Sequence, residues 1–140
     1  MKKYVFIVFA VMLLALASAV YSIDFDNSQI PGLKIANDVD GALNTAKIEN
    51  KTVMIVFDQD SCVYCDMFKK DVLSNPDVQK ELNEKCIVIF VDINKHPEIA
   101  NKYKVFGTPS IQFLDSNGKE ITKIEGYSGA DEFLNTLKEI

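Results

Sequence analysis

The sequence predicts an α/β domain in which a mixed central sheet carries helices on both faces. Three observations lead there. Two short runs, Thr52 to Phe57 and Ile87 to Val91, are apolar and rich in β-branched residues, without polar alternation. That is the composition of strands covered on both sides. The stretch between them holds helix start and stop signals, so a strand–helix–strand crossover with parallel strands is expected. Further on, Ser110 to Leu114 and Lys119 to Glu125 flank Asp115-Ser116-Asn117-Gly118, a hairpin turn with Asn-Gly at its centre.

Taken in order, the chain opens with a targeting pattern. Lys2 and Lys3 precede an uncharged run from Val5 to Ala17, and Ala17-Ser18-Ala19 has the small-x-small form of a signal-peptidase site. Residues 1–19 are therefore expected to be a signal peptide, or a membrane anchor if left uncut, since the uncharged stretch from Tyr4 to Ile23 is long enough to span a bilayer. Residues 20–32 read as a lead-in with a Pro31-Gly32 turn, and the domain proper as 33–140, with a short strand at Leu33 to Ile35. Asn37 or Asp38 can cap a helix to Glu49 whose apolar face is Val39, Ala42, Leu43, Ala46 and Ile48. A helix from Asp66 to Leu73 follows the first buried strand. After the break at Ser74, Asn75 caps and Pro76 opens another helix, to Glu84. Glu98 to Tyr103 is a short helix. Ser128 is expected to cap the last one, which buries Phe133, Leu134 and Leu137.

Composition bounds the function. The chain has 140 residues, 48% hydrophobic and 25% charged, enough for one domain with a real core. Its net charge is -5 and its pI about 4.8, and all its basic side chains are lysine. This balance argues against nucleic acid or an anionic membrane surface as partner. Among three cysteines, an extracytoplasmic setting would let two pair and leave one over.

The chemistry concentrates in Asp58-Gln59-Asp60-Ser61-Cys62-Val63-Tyr64-Cys65. A strand ends, a turn follows, and two thiols stand three apart at the start of a helix, on one face. Such a pair can close a disulfide and reopen it. Unpaired N–H groups and the helix dipole stabilise a thiolate there. Competing readings are a structural disulfide, a metal site completed by Cys86 and His96, and a Cu(I)-handling pair.

The order β-α-β-α-hairpin-α, a C-x-x-C after the first buried strand and Gly107-Thr108-Pro109 before the hairpin resemble the thioredoxin fold from Leu33 to Ile140. Phe57 to Cys65 is similar to the corresponding stretch of extracytoplasmic thioredoxin-like proteins associated with sulfur oxidation. The C-terminal domain of the transmembrane thiol:disulfide interchange protein is a more distant likeness. The resemblance implies that Cys62 is the exposed nucleophile and Cys65 the buried resolving thiol. It further implies that Pro109 is a cis-proline beside them, and that Thr108, Pro109, Val63 and Tyr64 meet the substrate. Protein disulfides and an upstream thiol redox partner would be its partners, with no cofactor and a monomeric state expected.

Two departures accompany the likeness. Thioredoxin has a buried Asp six residues before its first cysteine, where this chain has Val56, and tryptophan around the motif, where Ser61 precedes Cys62. Asp58 is a candidate proton acceptor for Cys65, but its place in the turn favours reading it as a solvated carboxylate. Parallel strands put Cys86 at the end of the sheet away from the pair, where it serves as a small buried hydrophobe, and His96 is expected on the surface. The sequence thus points to an extracytoplasmic thiol:disulfide oxidoreductase working in the reducing or isomerising direction. A non-catalytic module of the same fold, holding Cu(I) or a client protein, is the rival.

Overall fold

A computed structural model of the chain describes residues 25–26 and 29–140; the expected signal segment, residues 1–19, lies outside them. Strand β1 (Phe25–Asp26) pairs antiparallel with β2 (Ile35–Ala36). The strand expected at Leu33 starts later because Leu33 closes a turn, its N–H donating to the Ile30 carbonyl at 3.1 Å, and is fully buried there. Helix α1 (Val39–Glu49) is capped by Asp38, whose carboxylate accepts from the Gly41 N–H at 2.6 Å. It ends at Asn50, which takes the left-handed conformation at φ 52°. Val39, Ala42 and Ala46 form the buried stripe; Ile48, expected on it, is 76% exposed. Two residues beyond Ala46 is about 200° around the helix, which turns Ile48 to solvent.

β3 (Thr52–Asp58) leads through a loop to α2 (Val63–Met67), which continues without a break as a π-helical segment, Phe68–Leu73. Helix α3 (Pro76–Lys85) starts at Asn75, whose side-chain oxygen accepts from the N–H groups of Asp77 and Val78. β4 (Cys86–Asp92), α4 (Pro97–Lys102), β5 (Ser110–Leu114), β6 (Glu120–Glu125) and α5 (Ala130–Glu139) complete the order. The turn joining β5 to β6 places Gly118 at φ +82°, a conformation costly for any residue with a Cβ. Asp115 accepts there from the N–H groups of Asn117 and Lys119. The cap of α5 differs from expectation. The flanking residue is Gly129, with no side-chain cap, while Ser128 is turned inward and 5% exposed, its hydroxyl without a protein partner.

The six strands lie in the order β1-β2-β4-β3-β5-β6. β3 and β4 are parallel neighbours in full register, Thr52 opposite Cys86 and Asp58 opposite Asp92, and β5 joins β3 antiparallel. Side-chain alternation sends Met54 and Val56 to one face, where Phe68 and Val72 of the π segment, Val78 and Leu82 of α3, and Phe133 and Leu137 of α5 cover them. Val53, Ile55 and Phe57 face α1 and Ala100 of α4 on the other. The fold is the expected mixed sheet with helices on both faces.

Candidate redox site

Parallel strands in register put the C-terminal ends of β3 and β4 side by side, and the loop 59–61 sets the redox helix on that end. Ser61 turns the chain at φ 61°, and Cys62 follows as the N-cap of α2 in an extended conformation. The Cys62 sulfur accepts from the Cys65 N–H at 3.2 Å, so it occupies the place of a capping oxygen. Cys62 and Cys65 are joined as a disulfide, with their Cα atoms 5.2 Å apart. Cys65 faces the interior at 2% exposed. Cys62, expected to be the open end, is itself only 9% exposed. Its cover includes Thr108, whose hydroxyl donates to the Cys62 sulfur at 3.4 Å across 46 residues of sequence. The Thr108–Pro109 peptide bond is cis. The sheet therefore brings Thr108 and Pro109, at the head of β5, against the pair at the head of α2.

The surroundings differ on the two sides. Val63 and Tyr64 stand 68% and 60% exposed on the rim, Tyr64 lying 6.4 Å from the Tyr127 ring, and Phe106 projects at 89% exposed. Between Phe106, Pro109 and Gly126 runs a groove of about 350 Å³. These side chains leave apolar surface open to solvent around the pair. On the opposite side, a polar cleft of about 400 Å³ reaches from Ser61 and Asp66 to Asp92 and His96. Burial pushes the Asp92 carboxyl up, but the Asn94 and Lys95 N–H groups and the Lys95 ammonium outweigh it and hold it below the usual range. His96 lies at the cleft edge with its Nδ1 3.4 Å from Glu98 Oε1.

Asp58 is not the solvated turn carboxylate that competed for its assignment. It closes β3, its side chain is 14% exposed, and Lys69 donates to it at 2.5 Å. Lys69 also sits 5.2 Å over the Phe90 ring. The negative charge that the sequence crowds around the pair is thus partly neutralised at Asp58, while Asp60 and Asp66 stay exposed. Sequence reasoning missed Lys69, although its position four residues after Cys65 on a helix was a readable signal. It also missed the exposure of Phe106, which no local pattern announces.

Val56 is buried in the core at 1% exposed, and Cys86 lies at the opposite end of the sheet, level with Thr52. Six strand steps of about 3.3 Å separate it by about 20 Å from the disulfide end. Burial pushes its thiol up to about 12, against the opposing charges of Lys85 and Lys51. Among the described residues, no three His, Cys, Asp or Glu side chains gather as a metal site requires, and no helix is long and apolar enough to cross a membrane.

A thioredoxin fold with a closed C-x-x-C at the head of a helix defines a class, the proteins built for thiol–disulfide exchange. Within it, a family model described as a thioredoxin-like domain matches residues 39–140, and the chain belongs to that family. It is 34% identical over 98 residues to the thiol:disulfide interchange protein DsbD of Actinobacillus pleuropneumoniae, a match covering 66% of this chain and 17% of that protein. The corresponding protein of Photorhabdus laumondii is 34% identical over 96 residues, again 17% of its length. The chain thus spans about a sixth of these relatives. Among solved structures, a Thermus thermophilus thioredoxin superposes with a TM-score of 0.70 at 29% identity, covering 77% of this chain and 86% of that one. The oxidised C-terminal domain of Neisseria meningitidis DsbD gives 0.62 at 27% identity, over 71% and 90%.

Proposed function

We propose that the chain is an extracytoplasmic thiol:disulfide oxidoreductase that reduces or isomerises protein disulfides through Cys62 and Cys65. The observation that carries this is the position of the disulfide, at a helix N-terminus, under the Thr108 hydroxyl and beside an exposed apolar rim. In the reduced protein the Cys62 thiolate, favoured by the helix N-terminus, attacks one sulfur of a substrate disulfide and expels the other as a thiolate. Cys65 then attacks the Cys62 sulfur of the mixed disulfide, releasing the second substrate thiolate and restoring the Cys62–Cys65 bond. Two electrons pass from the pair to the substrate, and an upstream dithiol returns them. The backbone of Thr108, with Pro109, Val63 and Tyr64, receives the substrate segment as an added extended strand.

Residues 1–19 act as the export signal and 33–140 as the working domain; the uncharged N-terminal run supports export. The direction is supported by charge. Asp60 and Asp66 are exposed beside the pair, and like charge disfavours a thiolate, which holds the potential nearer about −270 mV than about −120 mV.

Trapping and titration test this. Cys65→Ser accumulates mixed disulfides with client proteins through Cys62, while Cys62→Ser forms none and has no disulfide reductase activity. The reverse trapping pattern exchanges the two roles. Equilibration against glutathione buffers with thiol counting gives the potential, and a value above about −150 mV makes the protein a disulfide donor instead.

A further inference from the structure

The loop that brings Thr108 and Pro109 to the disulfide begins where α4 stops. The helix ends in a paired turn: the Lys104 N–H donates to the Asn101 carbonyl at 3.1 Å and the Val105 N–H to the Ala100 carbonyl at 2.9 Å. The left-handed residue of such a turn is usually glycine; here it is Lys104, at φ 54°. A side chain makes that conformation costly, so the surroundings must hold it. Beyond Val105, which is 5% exposed, the main chain of Phe106, Gly107 and Thr108 has no main-chain hydrogen-bond partner among the described residues. A Cβ added to Gly107 would meet nothing within 4 Å. The loop regains a main-chain partner at Pro109, whose carbonyl accepts from the Gly126 N–H at 2.8 Å.

The other end of the loop is gripped from the same edge of the sheet. Lys123 of β6 lies opposite Gln112 of β5, itself opposite Ile55, so its side chain leaves the sheet on the face that α1 and α4 cover. That side chain is only 18% exposed, and its ammonium donates to the Lys104 carbonyl at 3.1 Å. Glu125 Oε1 stands 2.8 Å from the same ammonium. The Glu125 side chain is 74% exposed, and a pair so open to water adds little to stability; its effect is to aim the ammonium. Lys123 and Gly126, three residues or about 10 Å apart along the chain, thus take the two ends of the loop.

We propose that, within the oxidoreductase reading above, Lys123 is a positioning residue: by gripping the Lys104 carbonyl it fixes the loop 104–109, and with it the Thr108 edge that a protein substrate meets. It touches neither sulfur, so it acts on substrate binding and leaves the exchange chemistry alone. A loop free to leave the competent arrangement binds in proportion to the fraction of time it spends there. A small disulfide, which needs only Cys62, is indifferent to that fraction.

Two substrates separate these effects. Insulin, with dithiothreitol as the electron donor, reports on the loop; an aromatic disulfide that releases coloured thionitrobenzoate reports on Cys62 attack alone. In Lys123→Met, which keeps the stem and loses the ammonium, KM for insulin rises about fivefold as the competent loop loses population, while kcat and the first release of thionitrobenzoate keep their rates. Lys123→Arg, which keeps a donor, restores the wild-type KM. Exchange of the Val105 amide hydrogen, protected by the turn, quickens about tenfold in Lys123→Met. An unchanged KM or an unchanged Val105 exchange rate overturns the proposal, even where Tm falls, because a contact that serves stability alone leaves substrate binding as it was. Equal slowing with both disulfides overturns it too, as does a failure of Lys123→Arg to restore KM. Should Lys123→Met fail to fold, Lys123→Gln, whose shorter arm falls short of the carbonyl, is read by the same criteria. A wild-type chain that reduces neither disulfide refutes the oxidoreductase reading itself; the Val105 exchange rate then decides whether Lys123 holds the loop.

Discussion

Cys86 allows one thiol's burial to be read directly from stability. The perturbation is Cys86→Ala, made in a Cys62→Ser/Cys65→Ser background so that no other thiol titrates and no disulfide reshuffles. Burial, against the opposing charges of Lys85 and Lys51, moves this thiol from an ordinary 9.0 to about 12 in the folded chain. At about 1.4 kcal/mol per unit, the three-unit difference corresponds to about 4 kcal/mol. The folded state binds this proton more tightly than the unfolded state. The contribution is therefore fully present below pH 9 and is lost as pH rises toward 12, with a slope approaching about 1.4 kcal/mol per pH unit. Lysines and tyrosines titrate in the same range, so the quantity to measure is the difference between parent and Cys86→Ala. Urea unfolding of both chains near neutrality and at about pH 10 and 11 supplies it. The parent should lose stability faster than the variant above pH 9. A difference that stays flat to about pH 11 would refute the claim that Cys86 is sealed from water in the folded chain.

Two further outcomes test the frame around the site. Phe133 is fully buried, edge-on to Phe68 at 5.2 Å and 6.1 Å from Phe113; Phe133→Ala should cost about 3–5 kcal/mol in denaturant unfolding, and a loss under about 1 kcal/mol would mean that α5 does not close this core. Asp38→Ala removes the N-cap of α1 and should cost about 1 kcal/mol, measured the same way; no loss would show that the cap is dispensable.

What the chain declares locally was readable. Thr52 to Phe57 and Ile87 to Val91 announced buried strands because both faces of each are covered, so no polar residue interrupts them. Asp38 and Asn75 announced helix starts because capping is satisfied within three residues. The C-x-x-C marked the site because three residues is the reach of one helical turn. Features set by residues far apart were not readable. The Asp58–Lys69 pair depends on how the redox helix lies across β3, and that angle is a property of the packed core. Ser128 reads as a cap by type, but the packing of α5 draws it inward and leaves Gly129 to start the helix. The short β1 adds an edge partner to β2 over two residues, too few to make a pattern.

The widened turn at Phe68–Leu73 gives the redox helix a phase. An ordinary helix advances about 100° per residue, and a π segment accommodates one residue more than its neighbours require. Cys65, ahead of the widening, and Phe68, Val72 and Leu73, within it, all face the interior; in an ordinary helix Leu73, five residues after Phe68, would lie about 140° round from it. The two halves of the helix are geared to each other through the extra residue. Removing one residue here would restore a regular α-helix and rotate the disulfide away from Thr108 by about a quarter turn, with every remaining side chain unchanged in kind. This stretch accepts changes of side chain more readily than changes of length, and the aim of the cysteines is written in a residue count.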